Sequence, residues 1–211
     1  MIIFKGGEST PLGVGLAMDK NKGALTVVLG FISVIVFAGL LFVGWVFSGY
    51  NSLVSVNEEV DSKWSQVENN MQRRNDLIPN LVNTVKGYTK HEEKVFAEIA
   101  DARSKLMGAK SVDEKAKADG ELSNALSRLM VITENYPDLK ANAQYTQLMD
   151  ELAGTENRIA VSRRDYNESV KKYNLKVKSL PVSLVAGSMG FSEKTYFEAE
   201  EGAKAVPKVE F

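Results

Sequence analysis

Residues 24–47, ALTVVLGFISVIVFAGLLFVGWVF, form 24 consecutive positions without a charge. A helix of that length spans roughly 36 Å, against about 30 Å for the hydrocarbon core of a bilayer. The stretch therefore predicts one transmembrane helix. After it the pattern changes to a helical alternation of apolar and charged positions. Leu53, Val56, Val60, Trp64, Val67 and Met71 recur every three or four residues, which places them on one stripe facing a partner. Asn75-Asp76 interrupts this run, so Asp76 is expected to cap a new helix with Pro79 in its first turn. A kinked continuous helix is the rival reading.

The next stripe, Ile78, Leu81, Val82, Val85, Tyr88, Val95, Ile99, Ala102 and Leu106, ends at Gly108. Residues 108–120 are small and charged and read as a connection leading into a third helix. Ser111 with Glu114 three positions later has capping-box form. Leu122, Ala125, Leu126, Leu129 and Ile132 carry the third stripe. It stops at Glu134-Asn135-Tyr136, because the residue before Pro137 disfavours helical backbone. Pro137 is expected to open the longest regular stretch, from Leu139 to Lys178, ended by Leu180-Pro181.

Four amphipathic helices with short links predict an all-α fold: one transmembrane helix, then an antiparallel four-helix bundle and an extended C-terminal tail. The expected organisation is a disordered flank over 1–23, the span over 24–47, the bundle over 50–179 and the tail over 180–211. Within the flank, residues 1–17 carry no pattern and read as a disordered extension or a misassigned start, while Met18 opens a natural short flank for an anchor. The tail's Phe191, Tyr196, Phe197, Val206, Val209 and Phe211 have no helical partner stripe. They fit either an extended segment partly packed on the bundle or a recognition segment.

The apolar run is too long for a signal sequence and no A-x-A-like site follows it, so it reads as a retained anchor. Trp45 and Tyr50 suit an interfacial belt. Lys20 and Lys22 precede the span, whereas the first basic residue after it is Lys63, behind Glu58, Glu59 and Asp61. The positive-inside rule then puts the bundle on the extracytoplasmic side of the cell membrane. No G-x-x-x-G pattern supports dimerisation within the bilayer, although self-association through the bundle is compatible with its faces.

Composition removes most chemistry. The formal net charge is −1, which gives no field for nucleic acid. The absence of cysteine excludes disulfides, thiolate metal sites and cysteine nucleophiles. His91 is the one histidine, so the paired Glu-x-x-His ligands of a di-iron bundle cannot form. Gly187-Ser188-Met189-Gly190 lacks the strand–turn–helix context of a nucleophile elbow. No cofactor is implied.

Two sets of polar residues stand out. Tyr-Asn recurs at Tyr50-Asn51, Tyr166-Asn167 and Tyr173-Asn174, and the last two pairs, one heptad apart, share a helix face. They fit register-setting core polar residues or a ligand-binding seam. Arg73, Arg74, Glu134, Glu156, Arg163 and Arg164 are the second set. A charge beside an apolar stripe needs a partner, so these are read as an inter-helical network or as solvated face charges. The candidate seam, structural or ligand-binding, is Arg73, Arg74, Glu134, Glu156, Arg163, Tyr166, Asn167, Tyr173 and Asn174.

The run YNSLVSVNEEVDSKWSQVENNMQRRNDLIPNLVNTVKGYTKHEEKVF resembles the LemA family, as does ENYPDLKANAQYTQLMDELAGTENRIAVSRRDYNESVKKYN with the proline and GF…F that follow. The resemblance covers about residues 24–211. It implies a membrane-anchored LemA-like helical bundle. Arg73, Arg74, Asp76, Pro79, Glu134, Tyr136, Pro137, Glu156, Tyr166, Asn167, Tyr173 and Asn174 stand at the family's motif positions, and the resemblance gives none of them a catalytic role. The expected function is a non-enzymatic interaction or scaffold module at the membrane surface, meeting the lipid bilayer and an unidentified protein partner. The alternative is a membrane-tethered sensor that binds a small ligand or peptide in the polar seam.

Overall fold

In the computed structural model, residues 15–89 and 91–198 are described, and all regular structure among them is helical. The elements are α1 (Gly15–Lys86), α2 (Glu93–Gly108), α3 (Val112–Thr133), α4 (Pro137–Lys140), α5 (Ala143–Lys178) and α6 (Ser183–Ala186), with a 3-10 turn at Gly187–Met189. The chain divides into two compact units, Met1–Tyr50 and Asn51–Phe211.

The first unit is the apolar part of α1. Its large side chains are exposed along the whole run, with Phe31 at 68%, Ile35 at 69% and Leu40 at 66%. A soluble protein does not leave such a continuous apolar surface in water. The segment is long and apolar enough to cross a membrane, and lipid is the solvent that suits it. Helix already covers residues 15–23, which the sequence assigned to a disordered flank. Ala, Leu, Met and Lys there favour helix. Residues 1–14 of that flank lie outside the described residues.

In the second unit the directions of the helices follow from their contacts. Ser52, Glu59, Lys63, Asn70 and Arg74 of α1 meet Lys176, Lys172, Asp165, Ser162 and Glu156 of α5, so the two helices run oppositely. Glu98 and Lys105 of α2 meet Arg128 and Glu121 of α3, again in opposite order. Glu68 and Arg74 of α1 meet Lys115 and Asp119 of α3 in the same order. The result is an up–down–up–down bundle of α1, α2, α3 and α5. Val67, Ile78, Ile99, Leu122, Leu129 and Ile159 are all at most 1% exposed and belong to one core shared by the four helices. The stripes read from the sequence supply this core, whose burial is the main stabilising term.

Two boundaries differ from expectation. The break foreseen at Asn75-Asp76 is absent, because α1 continues through Pro79 to Lys86. Asp76 caps no helix; it accepts a hydrogen bond from Gln72 at 2.8 Å. Proline in a helix interior costs about 3 kcal/mol, but Met71, Ile78, Leu81 and Val85 bury on both sides of it and hold the helix together. The chain turns instead after Lys86, where Gly87 and Tyr88 form a turn on the Thr84 and Val85 carbonyls. Likewise, Pro137 opens only a single turn. Asn142 then caps α5 by accepting from the Tyr145 amide at 2.9 Å. The capping box at Ser111 and Glu114 forms in full, with the Glu114 amide donating to Ser111 Oγ and the Ser111 amide donating to Glu114 Oε2.

After α5 the chain makes the short helix and 3-10 turn. Gly190 then adopts φ of 82°, a left-handed conformation that an L side chain resists. This redirects residues 191–198 into a segment without helical turns. Phe197 of that segment is 5% exposed and joins the core. Val206, Val209 and Phe211 lie outside the described residues.

Candidate functional site

The residues singled out by sequence fall into two clusters in the second unit, which meet at Arg163, with two residues outside both. The first cluster is ionic. Arg74 stands three positions after Met71 and four before Ile78, so α1 drives its side chain inward, where the residue is 1% exposed. Its Nη1 donates to Glu156 Oε2 at 2.6 Å and to Ser123 Oγ at 3.2 Å, and its Nη2 pairs with Asp119 Oδ1. Asp119 Oδ2 pairs with Arg163 Nη2. Asp119 is thus a buried carboxylate between two guanidiniums, on three helices that it links. The Nε atoms of Arg74 and Arg163 are buried without a hydrogen-bond partner.

Burial pushes the Arg74 guanidinium below its ordinary value, and Glu156 opposes that shift. Burial, reinforced by the neighbouring Arg74 charge, lowers Arg163 to about 10. At about 10, Arg163 is a cation at neutral pH. This arrangement ties α1, α3 and α5 together at the core. Asp119 was not singled out from the sequence, because it lies in a charged run. The signal was present, since Asp119 precedes Leu122 by three positions and Leu126 by seven and so sits on the α3 stripe.

The second cluster is the α5 face bearing Tyr166, Asn167, Tyr173 and Asn174, and it holds the tail. The Asn174 side-chain amide donates to the Lys194 carbonyl at 2.8 Å, and its oxygen accepts from the Lys194 amide at 2.9 Å. Asn167 does the same with Phe197, at 2.9 and 2.8 Å. The Tyr166 hydroxyl donates to the Thr195 carbonyl at 2.9 Å. An asparagine side chain has one donor and one acceptor set side by side, so each reads one residue's main chain as a neighbouring strand would.

Side chains add to this. Trp64 of α1 lies 5.1 Å from the Tyr166 ring and 6.4 Å from the Phe197 ring, between centroids. The Arg163 guanidinium covers Phe197 at 4.7 Å, and Lys194 Nζ lies 5.5 Å from the Tyr173 ring centre. Lys194 also pairs with Asp61 at 2.5 Å. Burial, aided by Asp61 and Asp113, pushes the Tyr166 hydroxyl up to about 12. Burial also raises Tyr173, aided by Asp61 and opposed by the Ser192 amide. Both phenols stay neutral across the physiological range.

Arg73 and Glu134 take part in neither cluster. Arg73 is exposed beside Asp150, Glu151 and Arg158 around a shallow recess. Glu134 is exposed at the C-terminal cap of α3. A separate cleft of about 350 Å³ opens beside the ionic cluster, lined by Leu81, Met130, Met149 and Leu152 with Arg74 and Glu156 at its polar edge. Among the described residues, no group of three or more His, Cys, Asp or Glu side chains is placed to hold a metal ion.

The chain is similar to proteins of three bacteria. It is 28% identical to the magnetosome protein MamQ 2 of Paramagnetospirillum magneticum, over 90% of this chain and 76% of that protein. It is 28% identical to the magnetosome protein MamQ of Magnetospirillum gryphiswaldense, over 85% of this chain and 74% of the relative. It is 26% identical to Protein LemA of Metamycoplasma hominis, over 72% of this chain and 69% of the relative. The family model of LemA matches residues 63–211, which takes in the bundle from Lys63 of α1 onward, including both polar clusters. The chain belongs to the LemA family.

Proposed function

We propose that the protein is a non-enzymatic interaction module, tethered to the membrane by the apolar part of α1, whose bundle and tail engage a partner protein. The observation that carries this reading is the use made of the polar side chains. The buried charges are consumed in pairing α1, α3 and α5, and the tyrosine–asparagine face is occupied by a polypeptide main chain. Neither cluster presents a nucleophile beside a base, the minimum that acid–base or covalent catalysis needs.

The bundle lies on the extracytoplasmic side in this proposal, on the strength of Lys20 and Lys22 ahead of the span. Reporters active on only one side of the membrane, fused at Phe211, test that side. Activity of the cytoplasmic reporter alone would reverse it. Cross-linking in intact membranes tests the interaction role. A protein captured by the full chain and lost when residues 51–198 are deleted supports it, and capture equal to the deleted control contradicts it.

A second reading, a sensor of a small apolar ligand, draws on the cleft lined by Leu81, Met130, Met149 and Leu152. Thermal stabilisation by an apolar probe such as a fatty acid, abolished by Leu152→Trp, supports that reading. No shift with wild type contradicts it.

A further inference from the structure

We infer that the α5 face bearing Asn167 and Asn174 is a peptide-binding site for an extended segment with a basic residue three positions before an aromatic one, and that the protein's own Lys194–Phe197 fills it in cis. This deepens the interaction role proposed above and rests on it, since it names the kind of partner the bundle takes.

Spacing carries the first part of the argument. Asn167 and Asn174 are seven residues apart on one helix, about 10.5 Å at the helical rise. Lys194 and Phe197, the residues they hold, are three apart. Three residues cover about 10 Å only in extended form. The helix therefore carries two amide brackets at the repeat of an extended chain, and Tyr166 bonds the carbonyl of Thr195 between them.

Independence from sequence carries the second part. Five hydrogen bonds, four made by the asparagines and one by Tyr166, engage main-chain atoms. They are open to any residue other than proline at the two bracketed positions. Tail residues Thr195 and Tyr196 are exposed. Selectivity comes from two side-chain positions. Phe197 is buried beside Trp64 and under Arg163, and Lys194 lies between Asp61 and the Tyr173 ring. Affinity from main-chain bonds and specificity from side-chain pockets is the division of labour in strand-type peptide recognition.

The resident tail competes with any incoming peptide. It is joined to α5 by residues 179–193, and a short linker gives an effective concentration in the millimolar range. The partner segment therefore enters when the tail's anchor is weakened or when the partner is abundant at the membrane.

The test uses the full chain in detergent micelles and a fluorescent peptide of residues 190–198, followed by polarisation. Phe197→Ala weakens the resident tail, and this variant is expected to bind the peptide saturably, at least tenfold tighter than wild type. Adding Asn167→Ala and Asn174→Ala is expected to reduce that binding at least tenfold, as is Phe-to-Ala replacement within the peptide at the place of Phe197. Helical content by circular dichroism identifies a variant that has unfolded. In that event hydrogen exchange on wild type decides: excess unlabelled peptide is expected to speed exchange of the resident amides of Lys194 and Phe197. Absence of peptide binding by folded Phe197→Ala overturns the inference, as does binding indifferent to the two asparagines. A membrane cross-linking partner that persists after such a result leaves the interaction role standing and removes only the site.

Discussion

The ionic cluster around Asp119 and the asparagine face that holds the tail both use α5, and both spend polar side chains at the edge of the same core. They do so with opposite consequences. In the ionic cluster, Asp119 and Arg74 are each about 2% exposed at the side chain, so neither charge can fall back on water. Removing one strands the other. On the asparagine face the groups are neutral and the segment they hold carries two exposed residues between its anchors. If the tail leaves, water replaces its hydrogen bonds at modest cost. A charged cluster of this kind fixes helix order and register. A neutral bracket of this kind suits a contact that is made and released.

The comparison sharpens first at Asp119. Asp119→Ala leaves the buried Arg74 facing the half-buried Arg163, with Glu156 the one carboxylate still paired to Arg74. Loss of one partner from a buried pair costs about 3–5 kcal/mol, and denaturant unfolding of the bundle should fall by that amount. A loss below about 1 kcal/mol would mean the cluster is solvated and the contrast false. Glu156→Ala should cost less, because its side chain is 47% exposed and water can take its place.

The second effect is local. Each asparagine contributes two hydrogen bonds, worth about 0.5–1.5 kcal/mol apiece. Asn174→Ala should therefore ease tail opening by about 1–3 kcal/mol, seen as faster amide exchange at Lys194. The bundle's unfolding midpoint should move little. A collapse of the whole bundle would show instead that Asn174 serves the core.

Smaller again is Ser111→Ala. It removes the acceptor from the capping box of α3, a loss of about 1 kcal/mol, and should lower bundle stability without altering exchange in the tail. The Glu114 carboxyl, held below its usual range by the Lys110 and Ser111 amides, belongs to the same box.

A further effect is one of pH. Tyr166 rises from an ordinary 10 to about 12 in the folded protein. A group with a raised folded value contributes fully below 10 and loses its contribution as pH climbs through about 12. Tail protection should therefore decline in that alkaline window, as the hydroxyl that donates to Thr195 ionises. Tyr166→Phe should remove this step. An unchanged alkaline profile in Tyr166→Phe would assign the step to another group.

Much of the fold was legible because apolar period survives translation into packing. The uncharged run, the stripe from Leu53 to Met71, the capping box at Ser111 and the end of α5 at Lys178 all mark themselves locally. The break expected at Asn75-Asp76 failed because a proline's local preference is overruled by burial on both sides of it. Asp119 was hidden by its charged neighbours, although its register with Leu122 and Leu126 pointed inward. The heptad between Asn167 and Asn174 revealed a shared face. What fills that face could not be read, because the contacts reach main-chain atoms of Lys194 and Phe197, and a main chain leaves no trace in residue identity.

Hydrogen exchange of the full chain in lipid vesicles, comparing wild type with Asn167→Ala/Asn174→Ala, tests the central claim most directly. The account predicts slow exchange at the Lys194 and Phe197 amides in wild type, loss of that protection in the double variant, and unchanged exchange in the cores of α2 and α3. Free-chain exchange at both amides in wild type would contradict it.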